Sequence, residues 1–171
     1  MILEIKTFPD EVLRKKSTPV ETVDDNIKEL LDNMAETMYN APGIGLAAPQ
    51  VGVNKRVIVI DITGPEEKSG LMKIVNPEIL EMDGEVVGEE GCLSVPEEYA
   101  EVKRAEKIKV KFLDENSVEH IIEADGLLAR AFQHEIDHLD GVLFIDKISP
   151  LKREFIKKRV RKKLKFQKQN S

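Results

Sequence analysis

Residues 126–139 form the most apolar helical segment of the sequence, and they also contain two of its three histidines. Apolar side chains recur on nearly every face when the segment is drawn as a helix, a pattern typical of a helix that is buried on all sides. These side chains belong to Leu127, Leu128, Ala131, Phe132, Ile136 and Leu139. Because buried polar groups need partners, the rest of the chain must fold around this helix and satisfy its polar residues.

The polar residues of this helix match the pattern H-E-x-x-H at His134, Glu135 and His138. Histidines four residues apart project from one face, about 6 Å apart along the axis, so both rings can reach one metal ion. Glu135 is placed to accept a proton from water that such an ion activates. Two histidines at this spacing can also be ordinary core or capping residues, but the whole pattern rarely arises by chance and favours a metal site.

A catalytic metal site of this kind needs a third protein ligand and an open position for water. In the extended metalloprotease pattern the third ligand is a histidine, but Phe144 stands at that position. Asp146 and Glu154 are weaker candidates, because neither has a spacing that directs it at the histidine pair. His120 falls in a predicted strand, where a lone histidine is more often a surface residue.

Cys92 is the strongest remaining donor. It is the only cysteine, so it forms no disulfide within the chain, and a lone cysteine is most often a small buried apolar residue. Its thiolate is nevertheless a good ligand for a soft or borderline metal, and the preceding Gly91 permits close approach of the backbone. The need for a third ligand therefore favours Cys92 as a metal-binding residue.

The rest of the sequence predicts a mixture of helices and antiparallel strands. Apolar residues recur with a helical period over about 24–39, and apolar runs at 56–62 and 71–75 predict buried strands. Alternating apolar and lysine residues, a polar turn and a further run predict a hairpin over 107–123. A chain of 171 residues is long enough for one substantial core. We therefore expect a single α+β domain, with mainly antiparallel sheets packed around a central metal-binding helix and with a C-terminal helix.

Charge divides the chain into two parts. Residues 151–171 carry ten lysines and arginines and one acid, a net charge of +9, and the total of −6 leaves −15 on residues 1–150. We expect residues 1–150 to form the catalytic metallohydrolase part and residues 151–171 a basic helix of the same domain, beginning at Ser149 and Pro150. Such a helix can dock with its charged face in water, or it can attract RNA or another polyanion.

The sequence does not predict a membrane protein. Its apolar runs are far shorter than the roughly 18 residues needed to cross a bilayer. The first 20 residues mix acidic, basic and apolar positions, unlike a secretory signal or a transit peptide. We therefore expect a cytoplasmic protein.

Three segments together resemble the signature motifs of the peptide deformylase family. They are Gly43-x-Gly45-x-Ala47-Ala48-x-Gln50, Glu90-Gly91-Cys92-Leu93-Ser94 and Gln133-His134-Glu135-x-Asp137-His138. The order and spacing are those of the family, and the similarity covers nearly the whole chain. The resemblance implies a metal-dependent hydrolase of protein biosynthesis that removes the formyl group from the N-terminal formylmethionine of newly synthesised polypeptides and releases formate.

The resemblance also implies roles for the matching residues. The metal ligands would be Cys92, His134 and His138, with water as the fourth ligand. Glu135 would accept and return the proton, while the Gln50 side-chain amide and the Leu93 backbone N–H would stabilise negative charge on the formyl oxygen. The substrate-binding residues would be Gly43, Ile44, Gly45, Leu127, Arg130 and Ala131. Glu90 and Arg104 would form a supporting ion pair, unless they are independent surface charges.

The implied metal ion is Fe²⁺, although a thiolate with two imidazoles also suits zinc, nickel or cobalt in preparations of the protein. The implied partners are nascent formyl-Met polypeptides and, through the basic C-terminal helix, the ribosome, with no DNA and no membrane. Three other functions fit parts of the pattern. They are a zinc endopeptidase, a thiol hydrolase with Cys92 as nucleophile and His134 as base, and a ribosome- or RNA-binding module with a structural metal.

Overall fold

A computed structural model describes residues 1–169 of the chain. The helices are α1 (Asp25–Asn40), α2 (Gly64–Glu67), α3 (Gly126–Leu139) and α4 (Pro150–Gln169), and short 3₁₀ turns occur at Glu11–Arg14, Ala48–Val51 and Phe144–Lys147. The strands are β1 (Gly45–Ala47), β2 (Val57–Ile60), β3 (Met72–Asp83), β4 (Val86–Cys92), β5 (Val95–Arg104), β6 (Lys107–Leu113) and β7 (Glu119–Asp125).

Two antiparallel sheets surround α3. The larger sheet has the strand order β1-β2-β3-β6-β7, and β4 pairs with β5 in a separate hairpin. Side chains of α3, including Phe132 and Leu139, share one core cluster with β2, β3 and β6. The expected fold class, a single α+β domain with mainly antiparallel sheets around a central helix, is confirmed.

Local sequence signals place several elements correctly. The Asp24 carboxylate accepts a hydrogen bond from the backbone N–H of Ile27 and caps α1 within one residue of the predicted start. In β6, the apolar residues face the core and the intervening lysines face outward, as the alternation predicts. In α3, Leu127 departs from the expected burial, because 51% of it is exposed near the start of the helix.

The sequence predicts no strand over 86–104, the region of β4 and β5. Gly88 and Gly91 interrupt β4, and β5 buries its residues at irregular intervals, so neither strand has a clear period of two. A register shift between Gly91 and Cys92 marks the turn of the hairpin. The strand predicted at 71–75 is only the beginning of β3, which continues to Asp83 and is exposed over its last four residues, 80–83.

The predicted C-terminal helix is present as α4, and its first turn is capped by the Ser149 hydroxyl, which accepts from the Lys152 N–H at 3.3 Å. Ile156 and Val160 are buried against the hairpin. Three other apolar residues of the helix, Leu151, Phe155 and Leu164, are exposed. Asn170 and Ser171, at the end of the predicted helix, lie outside the described residues. No helix within residues 1–169 is long and apolar enough to span a bilayer.

Tyr39 and Asp61 fasten the loop that precedes β1 to the end of β2. The Asp61 backbone N–H donates to the Ile44 carbonyl at 2.8 Å, and its carboxylate accepts from the Tyr39 and Thr63 hydroxyls. Burial, reinforced by the negative charge of Asp61, raises the pKa of Tyr39 to about 12.

This contact predicts an alkaline spectroscopic signature. In a Tyr99→Phe variant, Tyr39 is the only remaining tyrosine, so tyrosinate absorbance reports its ionisation alone. We expect a midpoint pH near 12 and a lower midpoint when Asp61→Asn is added, because the negative charge beside the phenol is removed. A midpoint near 10 before that second change would contradict the contact.

Candidate metal centre

Three donor atoms from two elements converge in the interior. They are Sγ of Cys92, at the end of β4, and one ring nitrogen each of His134 and His138, on α3, and all lie within 4.8 Å of one another. Cys92 Sγ and His138 Nε2 are 3.3 Å apart, and so are the Nε2 atoms of the two histidines.

These separations fit a shared metal ion. Two nitrogen ligands bonded tetrahedrally to zinc lie about 3.3 Å apart, and a sulfur and a nitrogen ligand about 3.5 Å apart. Three donors that can each offer a lone pair face the same point, where a cation would relieve their mutual repulsion. The donor set therefore fits a divalent ion of the zinc or iron type.

Glu90 orients the first histidine. His134 donates from Nδ1 to Glu90 Oε1 at 2.8 Å, and since an ionised carboxylate only accepts hydrogen bonds, the lone pair of His134 is on Nε2. This arrangement turns the ring toward the other two donors. Phe144, at the position of the absent third histidine, stacks on His134, with the two ring centroids 6.3 Å apart.

The Glu90 carboxylate is itself held by two arginines. Arg104 donates from Nε and Nη2 at 2.9 Å each, and Arg130 donates from Nη1. Burial raises the pKa of Glu90, but the hydrogen bonds from Arg104 and His134 outweigh burial and lower it to about 2. The expected ion pair between Glu90 and Arg104 is present and buried, and Arg104 also bonds Asp137.

The Glu135 side chain extends from α3 to Gly45 of β1. Its Oε1 atom is buried and has no hydrogen-bond partner within the described part of the chain, and a Cβ atom at Gly45 would overlap the other carboxylate oxygen. Burial raises the pKa of Glu135 to about 7, against the lowering effect of His134. The glycine thus makes room for a carboxylate that is free to accept a proton.

Gln50 approaches the donors from the 3₁₀ turn after β1. Its Oε1 accepts from the Ala47 N–H at 2.9 Å, and its Nε2 donates to Ser94 Oγ at 3.1 Å and lies 3.5 Å from Cys92 Sγ. The fully buried Ser94 was not singled out as functional in the sequence, although it stands inside the second motif. Its hydroxyl helps to fix the amide beside the metal donors.

A cavity of about 840 Å³ opens beside the donors and is lined by His134, Glu135, Gln50 and Cys92. Its walls include every residue expected to bind substrate, namely Gly43, Ile44, Gly45, Leu127, Arg130 and Ala131, and also Leu93. The Arg130 guanidinium donates hydrogen bonds to the Glu90 carboxylate and to the carbonyl oxygens of Val86 and Val102.

The remaining candidate ligands lie in other contacts. His120 pairs with Asp114 at 2.7 Å on the hairpin of β6 and β7, Asp146 pairs with Arg14, and Glu154 lies on α4, 3.9 Å from Lys157. None of them belongs to the donor group of the described residues.

The fold and the donor group together define a metal-dependent hydrolase of the H-E-x-x-H kind with a cysteine as third donor. The sequence model of polypeptide deformylases matches residues 2–154. A peptide deformylase of Thermodesulfovibrio yellowstonii is 57% identical over 162 residues, 95% of this chain and 98% of the relative, and one of Rhizobium meliloti is 53% identical over 156 residues, 91% and 90% of the two chains.

Solved structures agree. A peptide deformylase from Legionella pneumophila has a TM-score of 0.91 at 49% identity and covers 98% of both chains, and one from Thermus thermophilus has 0.89 at 43% identity with 99% of both chains. This chain belongs to the polypeptide deformylase family, whose members hydrolyse the formyl group from the N-terminal formylmethionine of peptides. The endopeptidase, thiol hydrolase and non-enzyme alternatives are thereby set aside.

The orientation of His134 by Glu90 is testable through metal affinity. Glu90→Gln removes the charge that holds the imidazole, and we expect metal binding to weaken by about 10- to 100-fold. Competition with a chromophoric chelator measures the affinity. Glu101→Gln, an exposed residue of the same hairpin, is the control. Equal affinity of both variants and the parent would show that Glu90 does not support the ligand.

Proposed function

We propose that Cys92, His134 and His138 hold one divalent metal ion and that Glu135 transfers the proton during deformylation. The observation that carries this proposal is the convergence of the three donor atoms within 4.8 Å, next to a buried carboxylate oxygen without a partner among residues 1–169. When bound, a divalent cation there acidifies water and polarises the formyl carbonyl.

Glu135 acts twice in the reaction. Its carboxylate takes a proton from the attacking water, whose oxygen forms a bond to the formyl carbon. It then gives that proton to the amide nitrogen as the carbon–nitrogen bond breaks. One water is consumed, and the products are formate and the free amine of methionine. The raised pKa of Glu135, about 7, suits a group that both accepts and donates near neutral pH.

Gln50 and Leu93 stabilise the charge that develops on the formyl oxygen. The Gln50 amide is already directed at the donor group by Ala47 and Ser94, so little reorganisation is needed during the reaction. Leu93 follows Cys92 directly, and its backbone N–H supplies the second donor. Two fixed donors beside the reacting carbon form an oxyanion hole.

The methionine side chain binds in the cavity against Ile44, Leu127 and Ala131, with Gly43 and Gly45 allowing the peptide backbone to approach. Apolar walls suit the methionine side chain, which is unbranched, flexible and polarisable. Arg130 forms part of the wall, and its contacts with Glu90 orient its charge away from an apolar ligand.

The metal in the cell is Fe²⁺, and zinc, nickel or cobalt occupy the same donors in preparations. A thiolate with two imidazoles accepts all four ions, and an oxidisable sulfur beside ferrous iron makes the enzyme sensitive to air. We further propose a cytoplasmic enzyme that meets nascent formyl-Met chains at the ribosome, where the net charge of +9 on residues 151–171 attracts ribosomal RNA.

Replacing Glu135 tests the proposal directly. Protein prepared without air should contain one iron per chain and release formate from a formyl-Met peptide. In Glu135→Gln, kcat should fall by about 10²- to 10⁴-fold, since the amide accepts no proton, while the metal content stays the same. Formate release at the parent rate by this variant would contradict the assigned role.

Replacing Gln50 tests the oxyanion hole. Gln50→Ala should lower kcat by about 10²- to 10³-fold, the usual effect of one lost donor. The free energy of unfolding should fall by only about 1 kcal/mol for the lost hydrogen bonds. Steady-state kinetics and urea unfolding measure the two effects. A variant with full turnover would exclude Gln50 from this role.

A further inference from the structure

The segment 96–99, here called the lip, follows the turn after Cys92 and forms one wall of the cavity. Glu97 has a φ of +65°, in the left-handed region that residues other than glycine rarely adopt. Tyr99 is 64% exposed and lies over Gly91, where a Cβ atom would meet its ring at 2.6 Å. An unfavourable backbone conformation at a cavity wall requires contacts that hold it.

Those contacts come from α4. Arg159 donates to the Glu98 carboxylate in a two-pronged arrangement, from Nε to Oε1 and from Nη2 to Oε2 at 2.8 Å each. One turn later, Lys163 lies 3.1 Å from Glu97 Oε2. Ile156 and Val160 pack α4 against the core of the hairpin, so the docked helix presents both cations to the lip.

The two ion pairs differ in what they can do. The Glu98 side chain is only 5% exposed, and within residues 1–169 the side-chain hydrogen bonds to its carboxylate all come from Arg159. A buried carboxylate without its partner must move to solvent. The Glu97 side chain is 81% exposed, and an exposed pair of this kind contributes little.

We propose that Arg159 is a positioning residue that holds the lip, through Glu98, in the shape that receives the peptide beyond the formylmethionine. This inference rests on the proposed function, which puts the formyl group at Glu135 and the metal donors. From that end of the cavity, the residues after methionine extend along the wall that includes the lip. Arg159 thereby contributes to the recognition of longer substrates without touching the reacting atoms.

The role predicts a dependence on substrate length. For Arg159→Ala, kcat/KM for formyl-Met-Ala-Ser should fall at least about tenfold through KM, as expected for a misplaced binding wall. We expect parent levels of kcat/KM for formyl-Met amide, of the metal content and of kcat. Lys163→Ala is the matched control and should resemble the parent with both substrates.

Adding Glu98→Gln to Arg159→Ala should return KM for the tripeptide most of the way to the parent value, because a neutral amide stays buried where an unpaired carboxylate does not. Hydrogen exchange gives a readout independent of turnover. The amides of 97–99 should exchange at least about tenfold faster in Arg159→Ala and return toward the parent rate in the double variant.

Equal losses on both substrates, no loss on the tripeptide, or the same loss in Lys163→Ala would overturn the positioning role, as would unchanged hydrogen exchange in the lip. A parent enzyme that releases no formate from either substrate would instead overturn the proposed function. The two failures are therefore distinguishable.

Discussion

The buried carboxylate of Glu90 joins the β4–β5 hairpin to α3. It accepts hydrogen bonds from Arg104 on β5 and from Arg130 and His134 on α3, and hydrogen bonds of this kind keep it ionised in the core. A buried charge is tolerated only when it is paired this completely. The same carboxylate that connects the hairpin to the helix therefore also fixes the orientation of the His134 ring.

Small residues let the polar groups of the centre approach each other. Gly45 leaves space for the Glu135 carboxylate, and Gly88 leaves space for the Arg130 guanidinium, which would lie 3.1 Å from a Cβ atom there. Both glycines line the charged centre from strands, where glycine is otherwise unfavourable. The lack of a side chain at these two points lets charged groups of α3 lie directly against the strands.

The basic C-terminal helix has a role inside the domain as well as a surface toward solvent. Two of its cations pair with acidic residues of the lip. Part of the positive charge of residues 151–171 is therefore neutralised by acidic residues of 1–150. The remaining lysines and arginines, together with the exposed Phe155 and Leu164, still offer a surface to a partner. The structure therefore shows the first of the two arrangements that the composition left open, a docked helix with its charged face in water, and attraction of a polyanion stays a prediction.

The sequence by itself determined the elements whose signals are local. Each of these signals spans only a few residues. They are the period of α1 and its Asp24 cap, the alternation in β6 and the H-E-x-x-H spacing, and the structure has the predicted element at each place. The three motifs also led to the family, since their order and spacing are properties of the chain.

Only the tertiary structure decided how distant segments meet. Cys92 Sγ lies 3.3 Å from His138 Nε2, although the two residues are 46 positions apart in sequence. The tertiary structure also formed the glycine-interrupted β4–β5 hairpin and paired Glu98 with Arg159. Such contacts depend on long-range packing and on the burial of charges, which no local period encodes.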